Sequence, residues 1–351
     1  MKTDGKTLFG QMPDGTPVEE FLLQSGPFSC RIITYGAAVR TLTVPDRAGR
    51  PVDVALGFDR LEDYLRQDKY LGAILGRYAN RIGGSRFTLN GQQFLLNAND
   101  GANHLHGGNV GFSHQVWAAQ EWGADFLTLS LLSPHGQEGY PGDLHVQVAY
   151  ALQNGALSIS YRAQSSRDTL CNLSSHIYFN LSGHQSGPVA GQYIQLHAGR
   201  YTPAAPGGIR TGEIAAVDAT PMDLRSPQPI GAHIAAPFPQ LVQAGGYDHN
   251  WAVDGWDGSL RPAARAWSPD TGISLEVLTT QPGVQFYTGN YLTGCPAGKG
   301  GVPYGDRWGF CLETQYFPDS PHHPGFPSPV LPADQPLRSQ TVYRLGIAEH
   351  P

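Results

Sequence analysis

The stretch Leu144-His145-Val146-Gln147-Val148-Ala149-Tyr150 sets an apolar side chain at every second residue, the period of a strand with one buried face. Asn154-Gly155 follows, and Leu157, Ile159 and Tyr161 then alternate in turn. Asn-Gly suits the left-handed backbone of a two-residue hairpin turn, so residues 144–161 predict a hairpin. A second pair, Asn90-Gly91, lies between Phe87, Leu89 and the run Phe94-Leu95-Leu96 and predicts another. Helix signals are sparse: the best begins at Asp59, where Glu62 completes a capping-box pattern and Leu61 and Leu65 share a face. Many short strands and few helices predict an all-β protein built from large antiparallel sheets packed face to face, a sandwich or a barrel.

Composition points the same way. With 44 Gly and 28 Pro in 351 residues, and only 15% charged residues, the chain favours turns and extended segments over long surface helices. The net charge of -6 is spread without acidic or basic blocks and leaves no electrostatic footprint for nucleic acid or an anionic membrane; a neutral polar ligand fits better. Cys30, Cys171, Cys295 and Cys311 show no Cys-x-x-Cys spacing and read as free, buried or partly buried thiols. Met1-Lys2-Thr3-Asp4-Gly5-Lys6 lacks the apolar stretch of a signal peptide and no run is long enough to span a bilayer, so the expectation is a cytoplasmic protein. The proline-rich segment Pro318 to Pro336 resembles a linker, but only one alternating strand, Thr341-Val342-Tyr343-Arg344-Leu345, follows it. It therefore reads as a long ordered loop, the paired glycines at 207–208, 245–246 and 300–301 as further loops, and residues 1–351 as a single domain.

Two ionisable residues stand out. Glu313 lies in Gly309-Phe310-Cys311-Leu312-Glu313-Thr314-Gln315, and His176 in Ser174-Ser175-His176-Ile177-Tyr178-Phe179-Asn180-Leu181. A carboxylate and an imidazole on apolar strands suit a general base and acid, although pattern alone reads Glu313 as a solvated strand residue and His176 as a core histidine. Together with Gly76-Arg77-Tyr78-Ala79-Asn80-Arg81-Ile82 and His104-Leu105-His106-Gly107-Gly108, these motifs run in the order of the aldose 1-epimerase (galactose mutarotase) family, which the chain resembles almost from end to end. The resemblance implies a β-supersandwich with a sugar cleft on the open face of one sheet. It also implies interconversion of the anomers of a free aldose such as galactose or glucose, with no cofactor. Glu313 takes the place of the family's base and His176 that of its acid. Asn80, Arg81, His106, Asp248 (in Gly245-Gly246-Tyr247-Asp248-His249) and Gln285 (in Gly283-Val284-Gln285-Phe286-Tyr287) fall where the family binds sugar hydroxyls. Tyr178, with Phe286 and Trp308, is placed to cover the apolar face of a pyranose. Asp306-Arg307-Trp308 departs from the family pattern and bears on the pocket wall beside Glu313.

Other readings compete for the same residues. His104 and His106 alternate on a strand, as in a cupin-like metal site, but no carboxylate follows at short range, so no metal is expected. His322-His323 reads as solvent-exposed, and Glu138-Gly139-Tyr140-Pro141-Gly142 as a structural turn. A non-catalytic carbohydrate-binding or sugar-sensing module would need the binding residues but not the acid and base. A glycosidase would want Glu313 and Asp248 facing each other across a bond, and a phosphosugar enzyme a basic cluster that is not evident. Oligomeric state leaves no mark on the sequence. Ordinary pKa values of about 4.3 and 6.5 predict that the chemistry starts from ionised Glu313 and protonated His176. The acid limb of a bell-shaped pH profile then belongs to Glu313, and the alkaline limb lies above the usual histidine value.

Overall fold

The computed structural model describes residues 5–348; the N-terminal reading of Met1–Asp4 falls outside them. The predicted hairpin lies within a nine-stranded antiparallel sheet. Leu144–Gln153 pairs with Ala156–Ser165, and Gln153 faces Ala156 across Asn154 and Gly155, whose φ values of 50° and 78° are those the turn requires. Phe126–Ser133 and Ala118–Trp122 extend the sheet on one side. On the other it continues through Leu337–Ile347, Ile273–Thr279, Arg261–Trp267, Tyr193–Leu196 and Gln228–Pro229. The second hairpin, Arg86–Leu89 with Gln92–Leu95, stands apart from this sheet.

Two five-stranded antiparallel sheets supply the opposing layer. One runs Lys6–Gln11, Pro17–Ser25, Phe28–Ile33, Ala38–Pro45, Pro51–Asp53. The other runs Ala215–Ala216, Arg200–Thr202, Asp248–Ala252, Gly283–Tyr287, Cys311–Gln315. Val146, Val148, Tyr150 and Ile159 of the large sheet share one buried cluster with Phe21, Ile32 and Val39 of the first small sheet and with Trp251, Val284, Phe286 and Leu312 of the second. The second small sheet thus presses one face into the core and turns the other outward, which leaves that outer face free to carry polar groups.

Three expectations change in detail. The helix Leu61–Arg66 forms, but Arg60 precedes it without a side-chain cap, because the Asp59 carboxylate accepts the Gly300 N–H at 2.7 Å instead. A distant loop outbids the local cap. The proline-rich segment is an ordered loop containing the turn Ser320–His322 and the short strand Val330–Leu331. Within it His322 is exposed, as expected, and His323 is half-buried, but both reach the buried Asp319 carboxylate, His322 Nδ1 at 2.6 Å. All four cysteines are unpaired. Among the described residues no helix is long and apolar enough to cross a membrane.

Arg77 ties the segment ahead of Asn80 and Arg81 to the turn at 133–142. Its guanidinium is buried without a carboxylate and donates to the carbonyls of Ser133, Pro134, Pro141 and Gly142 and to Ser133 Oγ. The same turn presents the Glu138 carboxylate to the Asn109 and Val110 N–H groups. The predicted structural role of Glu138–Gly142 is therefore a clamp on the two loops that carry Arg81 and His106. Arg77→Met strands several buried carbonyls at about 1–3 kcal/mol each, and should lower stability by at least about 3 kcal/mol, read as a shift of the urea midpoint at unchanged slope.

Candidate active site

Antiparallel pairing aligns Asn250, Gln285 and Glu313 as a row across the second small sheet. Asp248, Tyr287 and Cys311 form the next row on the same face, two residues along. Leu312 and Phe286, between them in sequence, must point the other way, and both are in the core. Phe286 is therefore not available to a ligand, contrary to the sequence expectation. Trp308 is likewise drawn off, packing on Tyr304 with 6.4 Å between ring centroids and away from the Glu313 cleft. His176 arrives on a neighbouring segment: Ser174–Ser175 pairs with Ile74–Leu75, and the His176 N–H donates to Ala73 O. Alternation then sends Ile177 and Phe179 to the core and leaves His176 and Tyr178 facing the sheet's polar rows.

The result is one cleft of about 180 Å³ lined by Asn80, Arg81, His106, His176, Tyr178, Asp248 and Glu313, together with Asp68, Lys69, Tyr70, Leu105, Tyr287 and Tyr291. That is small beside the roughly 300–1,000 Å³ of a drug-sized ligand site, and suits a single small ring. His176 Nε2 stands 3.9 Å from Glu313 Oε1, and only 4% and 2% of these residues remain exposed. The imidazole lies between two rings, Tyr178 at 4.9 Å and Tyr70 at 5.9 Å between centroids, both nearly parallel to it. Arg81 Nε donates to Asp100 at 2.7 Å, so its ion pair forms as well as its place in the cleft.

Of the residues predicted to bind sugar hydroxyls, Gln285 alone does not line the cleft. It is fully buried beneath Asp248, to whose Oδ1 its Nε2 donates at 2.6 Å. Tyr70, Tyr287 and Tyr291 went unread in the sequence: Tyr70 and Tyr291 reach the cleft only because loops meet there, whereas Tyr287, two residues past Gln285 on one strand, could have been found by alternation. Tyr70 sits in the chain Asp68-Lys69-Tyr70, which carries no motif.

His104 and His106 do not act as a pair. The strand ends at Leu105 and His106 takes a left-handed φ of 51°, aided by Gly107, where a Cβ would strike Gly76 O. His104 turns to the turn at 133–142: its Nδ1–H donates to Asn97 O, and its Nε2 accepts from Tyr140 OH at 2.8 Å. The metal-type grouping that does form is His106, His176 and Glu313, with ligand atoms within 4.8 Å of one another. The Asn80 N–H donates to His106 Nδ1 at 3.1 Å, so neutral His106 keeps its proton on Nε2. A donor aimed into the cleft suits a sugar oxygen and does not suit a metal ion.

Burial decides the charges. It raises the Glu313 carboxyl well above its usual value, Asp248 adding to the effect and Arg81 opposing it. It lowers His176 to about 4, and holds His106 well below its usual value with help from His176 and Arg81. Both shifts run against the charged forms expected at the start of the chemistry: burial disfavours ionised Glu313 and protonated His176 alike. A wider groove of about 510 Å³ around Phe94, Tyr140 and Arg167 has no such pair, and its carboxylate, Asp168, is engaged by Ala333 N and Asn90.

A supersandwich of antiparallel sheets with an imidazole and a carboxyl buried together on the polar face of one of them defines the galactose mutarotase-like class. Comparison with known proteins narrows this further. The aldose 1-epimerase family profile matches residues 19–344. Galactose mutarotase from Bos taurus is 43% identical over 98% of both chains, and aldose 1-epimerase from Escherichia coli K12 is 36% identical over 96% of this chain and 97% of its own. The crystal structure of galactose 1-epimerase from Lactobacillus acidophilus, 25% identical, superposes with a TM-score of 0.85 over 98% of both chains. A GalM/aldose epimerase homologue from C. elegans, 24% identical, shares the fold with a TM-score of 0.87 over 94% of this chain and 99% of its own. The chain belongs to the aldose 1-epimerase family of isomerases.

Protonated Glu313 should be visible directly. Infrared difference spectra at pH 7 are expected to contain a neutral-carboxyl stretch that Glu313→Gln removes; its absence from the wild-type protein would show the carboxyl ionised despite its burial.

Proposed function

We propose that this chain interconverts the α and β anomers of a free aldohexose, galactose or glucose, by acid–base ring opening and reclosure, with Glu313 and His176 moving the protons. The observation that carries the reading is the pairing of these two groups, 3.9 Å apart at the buried floor of a cleft of monosaccharide size. A sugar-binding or sugar-sensing module has no need of an imidazole and a carboxyl set together, and Glu313 Oε2, without a hydrogen-bond partner, is free to take a proton from a hydroxyl.

Ring opening takes the proton from the C1 hydroxyl and gives one to the ring oxygen; reclosure, after rotation about the C1–C2 bond, does the reverse. If Glu313 is ionised and His176 protonated, Glu313 accepts the C1 hydroxyl proton and His176 donates to the ring oxygen. The pair is then left as protonated Glu313 and neutral His176 beside the open-chain aldehyde, and reclosure restores it. The two protonation isomers have equal net charge. Burial favours the neutral one in the empty cleft, and it is the one that reclosure needs. Sugar hydroxyls at Glu313, aided by the Arg81 charge, supply the solvation that favours the ionised isomer. Arg81, Asn80, His106 and Asp248 are placed to hold the remaining hydroxyls, and Tyr178 and Tyr70 to cover the C–H face. We place the protein in the cytoplasm, a reading that its four free thiols suit, and treat residues 1–351 as one functional unit.

Polarimetry of freshly dissolved α-anomers tests the function. Glu313→Gln and His176→Ala should each lose about 10²–10⁴-fold in catalysed rate with the fold intact, the value of one general catalyst. Arg81→Ala should chiefly weaken binding. Near wild-type rates in either catalytic variant would remove that residue from the proton path.

The pH profile of kcat/KM, which reports the free protein, should be a bell whose limbs are assigned in the opposite sense to ordinary pKa values. Protonation of His176 closes the acid side near about 4, and ionisation of Glu313 closes the alkaline side above the usual carboxyl range. An acid limb that persists unchanged in His176→Asn would count against the assignment.

A further inference from the structure

Arg210 is a buried cation that neither the family motifs nor the cleft lining accounts for. It lies on the loop between Arg200–Thr202 and Ala215–Ala216, in Pro206-Gly207-Gly208-Ile209-Arg210-Thr211, and is 3% exposed. Among the described residues no carboxylate lies within ion-pair distance of its guanidinium, and its Nε and Nη1 have no hydrogen-bond partner. Burial lowers its pKa only to about 10, so it remains charged at neutrality, with Asp248 the strongest opposing charge. Arg77 is buried too, but carbonyls meet its guanidinium; Arg210 has no such set of acceptors, and a buried charge so poorly paired is expensive to keep.

Its one side-chain contact is informative. Arg210 Nη2 donates to Gln285 Oε1 at 3.1 Å, which forces the Gln285 amide to present its nitrogen to Asp248 Oδ1 at 2.6 Å. Reversing that amide would aim its oxygen at a carboxylate and its N–H groups at a guanidinium. The loop also approaches the other side of the cleft: Gly208, at a φ of 78° that favours glycine, packs so closely that a Cβ there would lie 3.1 Å from the Arg81 guanidinium.

We propose that Arg210 is a positioning residue for sugar binding: through Gln285 it fixes the orientation of the Asp248 carboxylate that meets the sugar hydroxyls, without touching the sugar itself. The proposal rests on the anomer-interconversion reading and extends its binding side. Gln285, absent from the cleft surface, acts on the sugar through the same relay.

The test is the division of effects between KM and kcat. Arg210→Met should raise KM for galactose about tenfold, the value of one ordered charge-assisted contact, while kcat falls less than about threefold. Arg210→Lys, which keeps the charge but not the planar fork, should fall between Arg210→Met and wild type. Gln285→Leu should raise KM similarly, and the Arg210→Met/Gln285→Leu double variant should be no worse than either single variant, because both break one relay. A wild-type KM in Arg210→Met, or a double-variant effect equal to the product of the two single effects, overturns the proposal. Should Arg210→Met fail to fold, a folded Arg210→Lys with wild-type KM overturns it equally. Absence of catalysis in the wild-type protein would instead count against the reading beneath it, whereas an active wild type with indifferent Arg210 variants counts against this inference alone.

Discussion

The period of two in the sheet Asp248–Ala252, Gly283–Tyr287, Cys311–Gln315 is the constraint on which the rest depends. Each strand must give alternate residues to the core, and Trp251, Val284, Phe286 and Leu312 do so. The residues between them are then fixed on the opposite face at cross-strand spacing, and polar ones collect there: Asp248, Asn250, Gln285 and Glu313. A slip of one residue in any of these strands would exchange its polar and apolar sets and dissolve both core and cleft together. Packing energy thus enforces the geometry of the site.

Such a site has a peculiar electrostatic state. A carboxyl and an imidazole are held 3.9 Å apart where water is scarce. Loss of solvation works against both charged forms, raising the Glu313 carboxyl and lowering His176. A polar ligand changes that balance by bringing its own hydroxyls. On the proposed reading, the sugar whose protons must move also brings the hydroxyls that solvate the charged pair.

Much of this was legible in the sequence, and the gaps have physical causes. Local signals were reliable where local chemistry decides: Asn154-Gly155 turns the chain because left-handed backbone is required there, and alternation from Leu144 to Tyr150 marks the buried face. Motif resemblance located Glu313, His176, Asn80, Arg81, His106, Tyr178 and Asp248, all of which line one cleft. Failures occurred where distant chain segments intervene. Asp59 abandoned its helix for the Gly300 N–H, and His106 left the strand geometry that would have paired it with His104. Phe286 was misread as a cleft residue although alternation with Gln285 and Tyr287 already assigns it to the core. Tyr70 and Arg210 belong to loops whose sequences say nothing of where they lead. The direction of the pKa shifts was not foreseen because ordinary values describe solvated groups, and burial cannot be read from a single position.

The volume of the cleft has one more implication. His176 and Glu313 lie at its floor, and the whole cleft is about 180 Å³. A hexose within an oligosaccharide carries its neighbour on the anomeric oxygen, the atom that must reach that floor. Only the terminal unit whose anomeric hydroxyl is unsubstituted can lower that end into so shallow a well. On the proposed reading two constraints then coincide at the same atom: a substituted anomeric oxygen has no proton to give, and a cleft of this volume has little room for the neighbour it would carry.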